Sequence, residues 1–372
     1  MALWAQLSSV VELASGVALA GVGTGIAVYV ARTSAPARQL ELLREALRLG
    51  LAVAFPVALG IALAGLFAFE RLFDEKLSRS LLLLGAAAGW LSVIPGTVNA
   101  YWLGQQRRAR MLALAVVSAL LMLAAAAFAP RAQVLAALLV AQALPALVVL
   151  AVLRGRAVPG RFRARAHPLR RYLLPGLAIG LLSPASTLLA RWTIGEGLSW
   201  HDAGVIQALW RISDWVCAPA AGVLSVYFLP RFAAARASGQ LAREMRRAAL
   251  VVLVPSAALL AALYLARGPL LALLYGPQFA PSAPTVALLY AGGLARIAAW
   301  IPLFALYAAR RTGAIALGEW LSLPLFAALL LGAGAHLSLE LAAAAWLGAY
   351  AAYLAFNLSA LRPSLRPRPL PR

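Results

Sequence analysis

The stretch AGVIQALWRISDWVCAPAAGVLSVYFLPR (203–231) decides how this chain is built. Its apolar length exceeds the roughly 20 residues needed to cross a bilayer at about 1.5 Å each. Yet Arg211 and Asp214 stand in it three residues apart, with Gln207 one turn earlier. Residues three and four apart share a helix face, so the three form one polar stripe. The stretch closes on VYFLPR (226–231), and VYVAR (28–32) echoes that ending far upstream.

The surrounding composition agrees with a membrane setting. Apolar residues make up 63% of the 372, and the mean hydropathy is +0.85. Soluble domains run near 45–50% apolar, and a water-soluble core has no use for the excess. In lipid every backbone polar group needs an internal partner, which leaves helices or closed barrels. Long non-alternating apolar runs select helices, so the expected fold class is an all-α polytopic membrane protein. The single Cys217 lies inside a span and offers neither a disulfide framework nor a thiolate metal site. His167, His201 and His336 are scattered at span edges. No metal and no cofactor is expected. The start MALWAQL lacks a basic segment, and Glu12 interrupts the first apolar run, so no cleaved signal peptide is read there.

Eleven spans are expected, at 7–31, 49–69, 80–103, 111–129, 133–153, 172–194, 203–230, 248–266, 284–308, 313–334 and 339–360. Pro56, Pro95, Pro175, Pro184, Pro219, Pro302 and Pro324 fall within them as tolerated kinks. A net charge of +21 in a soluble protein would suggest nucleic acid, but its placement argues otherwise. Alternate loops and the tail carry 25 of the 33 basic residues, the opposite loops only 5. Basic loops mark the cytoplasmic side, so the C-terminus is expected in the cytoplasm and no nucleic acid partner is expected. Part of the excess also suits anionic lipid headgroups.

The echo now organises the chain. Tyr29 and Tyr101 close the first and third spans, Tyr227 and Tyr307 the seventh and ninth, each followed by arginines. The two halves therefore run in the same orientation, as a parallel repeat. The expected division is an N-lobe of five spans (1–153), a basic cytoplasmic linker (154–171) and a C-lobe of six spans with a basic tail (172–372). From Tyr172 to Tyr227 is 55 residues, whereas 28 precede Tyr29. The shortfall is one spanning helix of a six-plus-six plan. Either a start codon placed too late or a real deletion accounts for it.

Arg296, in LLYAGGLARIAAWIPL, is the sharpest functional candidate. It lies 12 residues from Pro284 and 14 from Arg310, about 18–21 Å from either end of its span. A snorkelling side chain does not comfortably reach water from there, so it faces a partner helix or an aqueous pathway. Gly292 and Gly293 leave space on that face, and Trp300 offers a ring one turn on. Arg211 either pairs locally with Asp214 or lines water with Gln207. Arg191 sits three residues from a span end, where it either anchors at the interface or faces substrate. Glu319 and Glu12 are candidates for gating or for coupling to a cation. GVGTG (21–25) reads as a small-residue helix contact. RQLELLREALRLG (38–50) and GQLAREMRRA (239–248) read as short amphipathic helices at the headgroups.

No Walker lysine motif, metal-ligand spacing or Gly-x-Ser-x-Gly elbow occurs, and the outer loops are short. An enzyme is not expected.

At this level the chain resembles the multidrug/oligosaccharidyl-lipid/polysaccharide flippase superfamily, and within it the Wzx-type O-antigen and lipid-linked oligosaccharide flippases. SWHDAGVIQALWRISDWVCAPAAGVLSVYFLPRF (199–232) is similar to that family's seventh-loop and eighth-helix signature, and LLYGPQFAPSAPTVALLYAGG (273–293) to its outer loop and tenth helix. The chain departs in lacking the first helix and in having Val28 where some relatives carry a basic residue. The resemblance implies two lobes around a positively charged cavity, with cavity roles for Arg191, Asp214, Arg296 and Glu319. It implies outward movement of a polyprenyl-pyrophosphate-linked glycan across the cytoplasmic membrane, with membrane lipids and polysaccharide assembly machinery as further partners. On this reading Arg296 and Arg211 neutralise pyrophosphate or acidic sugar, while Asp214 and Gln207 hold the arginine and meet sugar hydroxyls. Glu319 and Glu12 gate or couple. A cation-coupled drug exporter of the same fold, a non-transporting scaffold and a polysaccharide polymerase are the alternatives. A dry Arg296 locked to a carboxylate of an adjoining helix would argue against translocation.

Overall fold

The computed structural model describes residues 2–31, 33, 35–67, 78–154, 169, 173–309 and 311–365. The described residues are helical, with no strands. In chain order the helices are α1 (Ala2–Ala18), α2 (Thr24–Ala31), α3 (Pro36–Phe67), α4 (Arg79–Gly104), α5 (Arg108–Phe128), α6 (Val134–Arg154) and α7 (Leu173–Gly197). There follow α8 (Trp200–Val223), α9 (Leu229–Ala237), α10 (Leu241–Leu265), α11 (Arg267–Tyr275), α12 (Ala283–Ala308), α13 (Thr312–Glu319), α14 (Leu323–Ala333) and α15 (Leu339–Leu365). Among the described residues nine helical stretches are long and apolar enough to cross a bilayer, and α1 with α2 makes a tenth, bent by 50°. The 25-residue α7 lies where the sixth span is expected. The basic segment 155–168, most of the expected linker, lies outside the described residues, as do Arg71, Lys76 and the tail from 366.

Local chemistry sets the helix starts. Ser199 Oγ accepts from the backbone N–H of Asp202 at 3.0 Å, which caps α8. Asp202 lies in the first turn, at the positive end of the helix dipole. Ser282 caps α12 in the same way, accepting from Thr285 N at 3.3 Å, with a proline in the opening turn. No residue of α5 is buried; it exposes Leu112, Leu120, Leu123 and Phe128. An apolar face of that extent is unsustainable in water and natural in lipid. The chain is a multi-pass membrane protein.

The chain divides into two compact units, Leu3–Leu188 and Leu189–Arg372, with the boundary inside α7. In the first unit α4 is central and packs on α3 and α6. In the second α12 is central and packs on α10 and α15. The third span thus contacts the second and fifth as the ninth contacts the eighth and eleventh, so the parallel repeat extends to packing. In the first unit a Cβ on Gly16 would lie 2.7 Å from the Gly180 carbonyl oxygen, so this glycine lets α1 approach the α7 backbone.

Four local expectations change. The segment 38–50 is the first part of the 32-residue α3, and 241–248 is the first part of α10. Neither forms a separate surface helix, because helix propensity runs unbroken into the apolar span behind it. GVGTG overlaps a π-helical turn (Leu19–Gly23) where α1 and α2 bend, and Gly21 and Gly25, its glycines four apart, are buried there. Leu224–Phe228 is a second π turn, through which α8 continues into α9, so Arg231 stands on a helix rather than in a loop. Pro324 does not merely kink the tenth span. It sits in the opening turn of α14, after a break at residues 320–322.

Candidate functional site

Arg296 occupies the middle of α12, and its Nη1 donates to Asp214 Oδ1 on α8 at 2.9 Å. The guanidinium carbon lies 4.8 Å from the Trp300 ring centroid and 5.9 Å from that of Tyr350 on α15. A cation over an aromatic face is attracted by the ring's quadrupole, so two rings and one carboxylate hold it. The pair is not fully enclosed by neighbouring side chains. The Arg296 side chain keeps 26% of its surface accessible and that of Asp214 keeps 41%.

Gly292 and Gly293 make this geometry possible, though not by leaving a vacancy. A Cβ on Gly292 would collide with Trp346, and one on Gly293 with Ser213. The two glycines therefore let α15 and α8 press against α12. Ser213 immediately precedes Asp214, so the close approach at Gly293 brings that carboxylate to Arg296 one turn on. The buried Cys217 Sγ seals the same contact, 3.8 Å from both Gly293 O and Ser213 Oγ.

The polar stripe of α8 splits among different partners. Arg211 is half-buried and, among the described residues, makes neither a hydrogen bond nor an ion pair; the local pairing with Asp214 is not formed. Its cation is felt at Tyr275, at the end of α11, whose phenol pKa is raised by burial against the opposing influence of Arg211. Gln207 does not face water. It is 4% exposed and accepts from Arg191 Nε at 2.9 Å, and Arg191 is itself only 6% exposed. Arg191 therefore stands between α7 and α8, not at an interface. In this conformation neither residue presents a surface to a ligand.

Glu319 ends α13 at the break in its span, and the Tyr353 hydroxyl donates to its Oε1 at 3.0 Å. Asn357, one turn beyond Tyr353, donates to Ala299 O at 3.3 Å. Glu12 is exposed on α1, in the first unit. Among the described residues no group of three His, Cys, Asp or Glu side chains is placed to hold a metal ion. Tyr350 and Tyr353 are site residues that the candidates named from the sequence do not include. Their spacing with Asn357 at i, i+3 and i+7 of α15 was the available signal.

No protein-family model matches the sequence, and no curated protein does. Among solved structures the chain is similar to an inward-facing conformation of a multidrug resistance MATE family transporter of the MOP superfamily. The TM-score is 0.74 at 13% identity, covering 98% of this chain and 94% of that one. An outward-facing conformation of such a transporter matches with a TM-score of 0.67 at 13% identity, covering 96% and 84%. A MATE in the bent conformation gives 0.66 at 14%, covering 96% and 84%. The class is thereby defined by its architecture: a multi-pass helical membrane protein with the two-lobe fold of MATE transporters. Identities this low establish the fold alone.

Proposed function

We propose that the protein is a flippase that moves a polyprenyl-pyrophosphate-linked oligosaccharide across the cytoplasmic membrane by alternating access. The observation that carries this reading is the partly exposed Arg296–Asp214 pair at mid-span. A charged pair is costly against lipid and is normally kept where protein or water receives it. A guanidinium has five donors, and Asp214 takes one through Nη1, so an incoming phosphate oxygen can compete for the rest. Arg211, on the same helix as Asp214, supplies a second cation that no carboxylate holds. Arg191 and Gln207 brace α7 against α8 in the present conformation and reach substrate only if these helices part. Glu319 and Glu12 couple opening to a proton or cation, and the C-terminus lies in the cytoplasm.

A cation-coupled exporter of small molecules is the second reading, favoured by the fold shared with multidrug resistance MATE family transporters. An acidic cavity would suit it. Here Asp214 is neutralised by Arg296, and Glu319 is bonded to Tyr353. The deciding experiment measures lipid-linked glycan translocation in reconstituted vesicles for the wild type, R296A and R211A at matched protein levels. The flippase reading expects loss in both variants. Undiminished flux in both, or drug efflux without glycan flux in the wild type, overturns it.

A further inference from the structure

On the second unit an apolar groove of about 220 Å³ opens between α8 and α10. Trp215, Pro219 and Val223 line one wall, and Val251, Pro255 and Leu259 the other. Pro219 and Pro255 both belong to helix interiors, and their compact rings leave the gap that longer side chains would fill. From Val251 to Leu259 is eight residues, about 12 Å along the helix axis. That is close to the roughly 15 Å that one leaflet contributes to a hydrocarbon core about 30 Å thick.

One end of the groove is cationic. Arg247 lies four residues before Val251 and Arg243 four before Arg247, a continuous row up the helix surface. Arg243, Arg246 and Arg247 are exposed and, among the described residues, make no hydrogen bond or ion pair. The one acid among them, Glu244, is taken by Arg231, whose Nε and Nη2 donate to its two oxygens at 3.0 and 3.3 Å. One carboxylate thus stands among four arginines, and the row keeps a net positive charge.

We propose that this groove binds one anionic phospholipid, its phosphate headgroup on Arg243 and Arg247 and one acyl chain along the wall from Val251 to Leu259. Guanidinium forks suit phosphate oxygens, and arginines at the membrane surface attract anionic headgroups. The leaflet-sized length of the groove fits an acyl chain from the arginine-side leaflet. This assignment holds whatever the protein transports.

The test uses the purified full chain in phosphatidylcholine with increasing phosphatidylglycerol. Unfolding is followed with a thiol-reactive dye at Cys217, a free and buried cysteine. A ligand that binds the folded state raises the midpoint, so phosphatidylglycerol should raise it above an equal addition of phosphatidylcholine. The variant R243Q/R247Q and the groove-filling V251W should each lose that difference while keeping the phosphatidylcholine midpoint. The control R107Q/R108Q, at exposed arginines of the first unit, should retain it. Equal shifts with the two lipids, or a difference that survives either groove variant, overturns the proposal. So does a larger rise with a polyprenyl phosphate acting through the same residues.

Discussion

Asp214 accepts its hydrogen bond from Arg296, 82 residues away on another helix, and not from Arg211 one turn back on its own. A local pair would have satisfied both charges within α8. The long-range pair instead ties α8 to α12 at mid-span and leaves Arg211 without a carboxylate. A double-mutant cycle should register this choice. With both side chains partly exposed, the Asp214–Arg296 coupling should be about 1 kcal/mol in thermal unfolding, the upper range for exposed pairs. Asp214 with Arg211 should show coupling near zero. A larger Arg211 coupling would reverse the assignment.

The glycine contact makes a second prediction. Replacing Gly293 by Leu drives a side chain into Ser213 and should cost about 1–3 kcal/mol, the usual range for overpacking. Gly222, with nothing within 4 Å of its Cβ position, should accept Ala with no loss, or with a gain of up to about 1 kcal/mol. Midpoints from the same thiol-dye unfolding assay check both.

Gln207 should behave as a stability residue. Q207A withdraws the acceptor from a buried Arg191 donor, which typically costs about 1–3 kcal/mol. The expected result is lower yield and melting temperature with unchanged flux per folded molecule. Lost flux at normal stability would instead return Gln207 to the substrate path.

For Glu319 the informative change is E319Q, which keeps an oxygen acceptor for Tyr353 and removes the charge. If Glu319 couples opening to a cation, flux in vesicles should lose its response to an imposed proton or sodium gradient. A gradient response equal to wild type ends that role, and E12Q then tests the other acid.

The largest effect is expected at Arg296. Losing a charge-assisted hydrogen bond to phosphate removes about 1.5–3 kcal/mol. R296A should therefore cut glycan flux on the order of 10- to 100-fold if binding energy limits transport. R296K, which keeps the charge without the fork, should recover only part of it.

By itself the sequence determined the all-helical membrane class, most span positions, the uneven distribution of arginine and the parallel repeat. It also placed the Trp300 ring one turn from Arg296. These properties are written in hydropathy and in spacing over a few residues, which any helix in lipid obeys. Tertiary structure alone decided that Asp214 meets Arg296, that Gln207 and Arg191 are sealed between helices, and that Glu319 stands at a break facing Tyr353. Those outcomes depend on how closely α8 and α15 approach α12 at Gly293 and Gly292. Local sequence shows a glycine there but not which neighbour it admits.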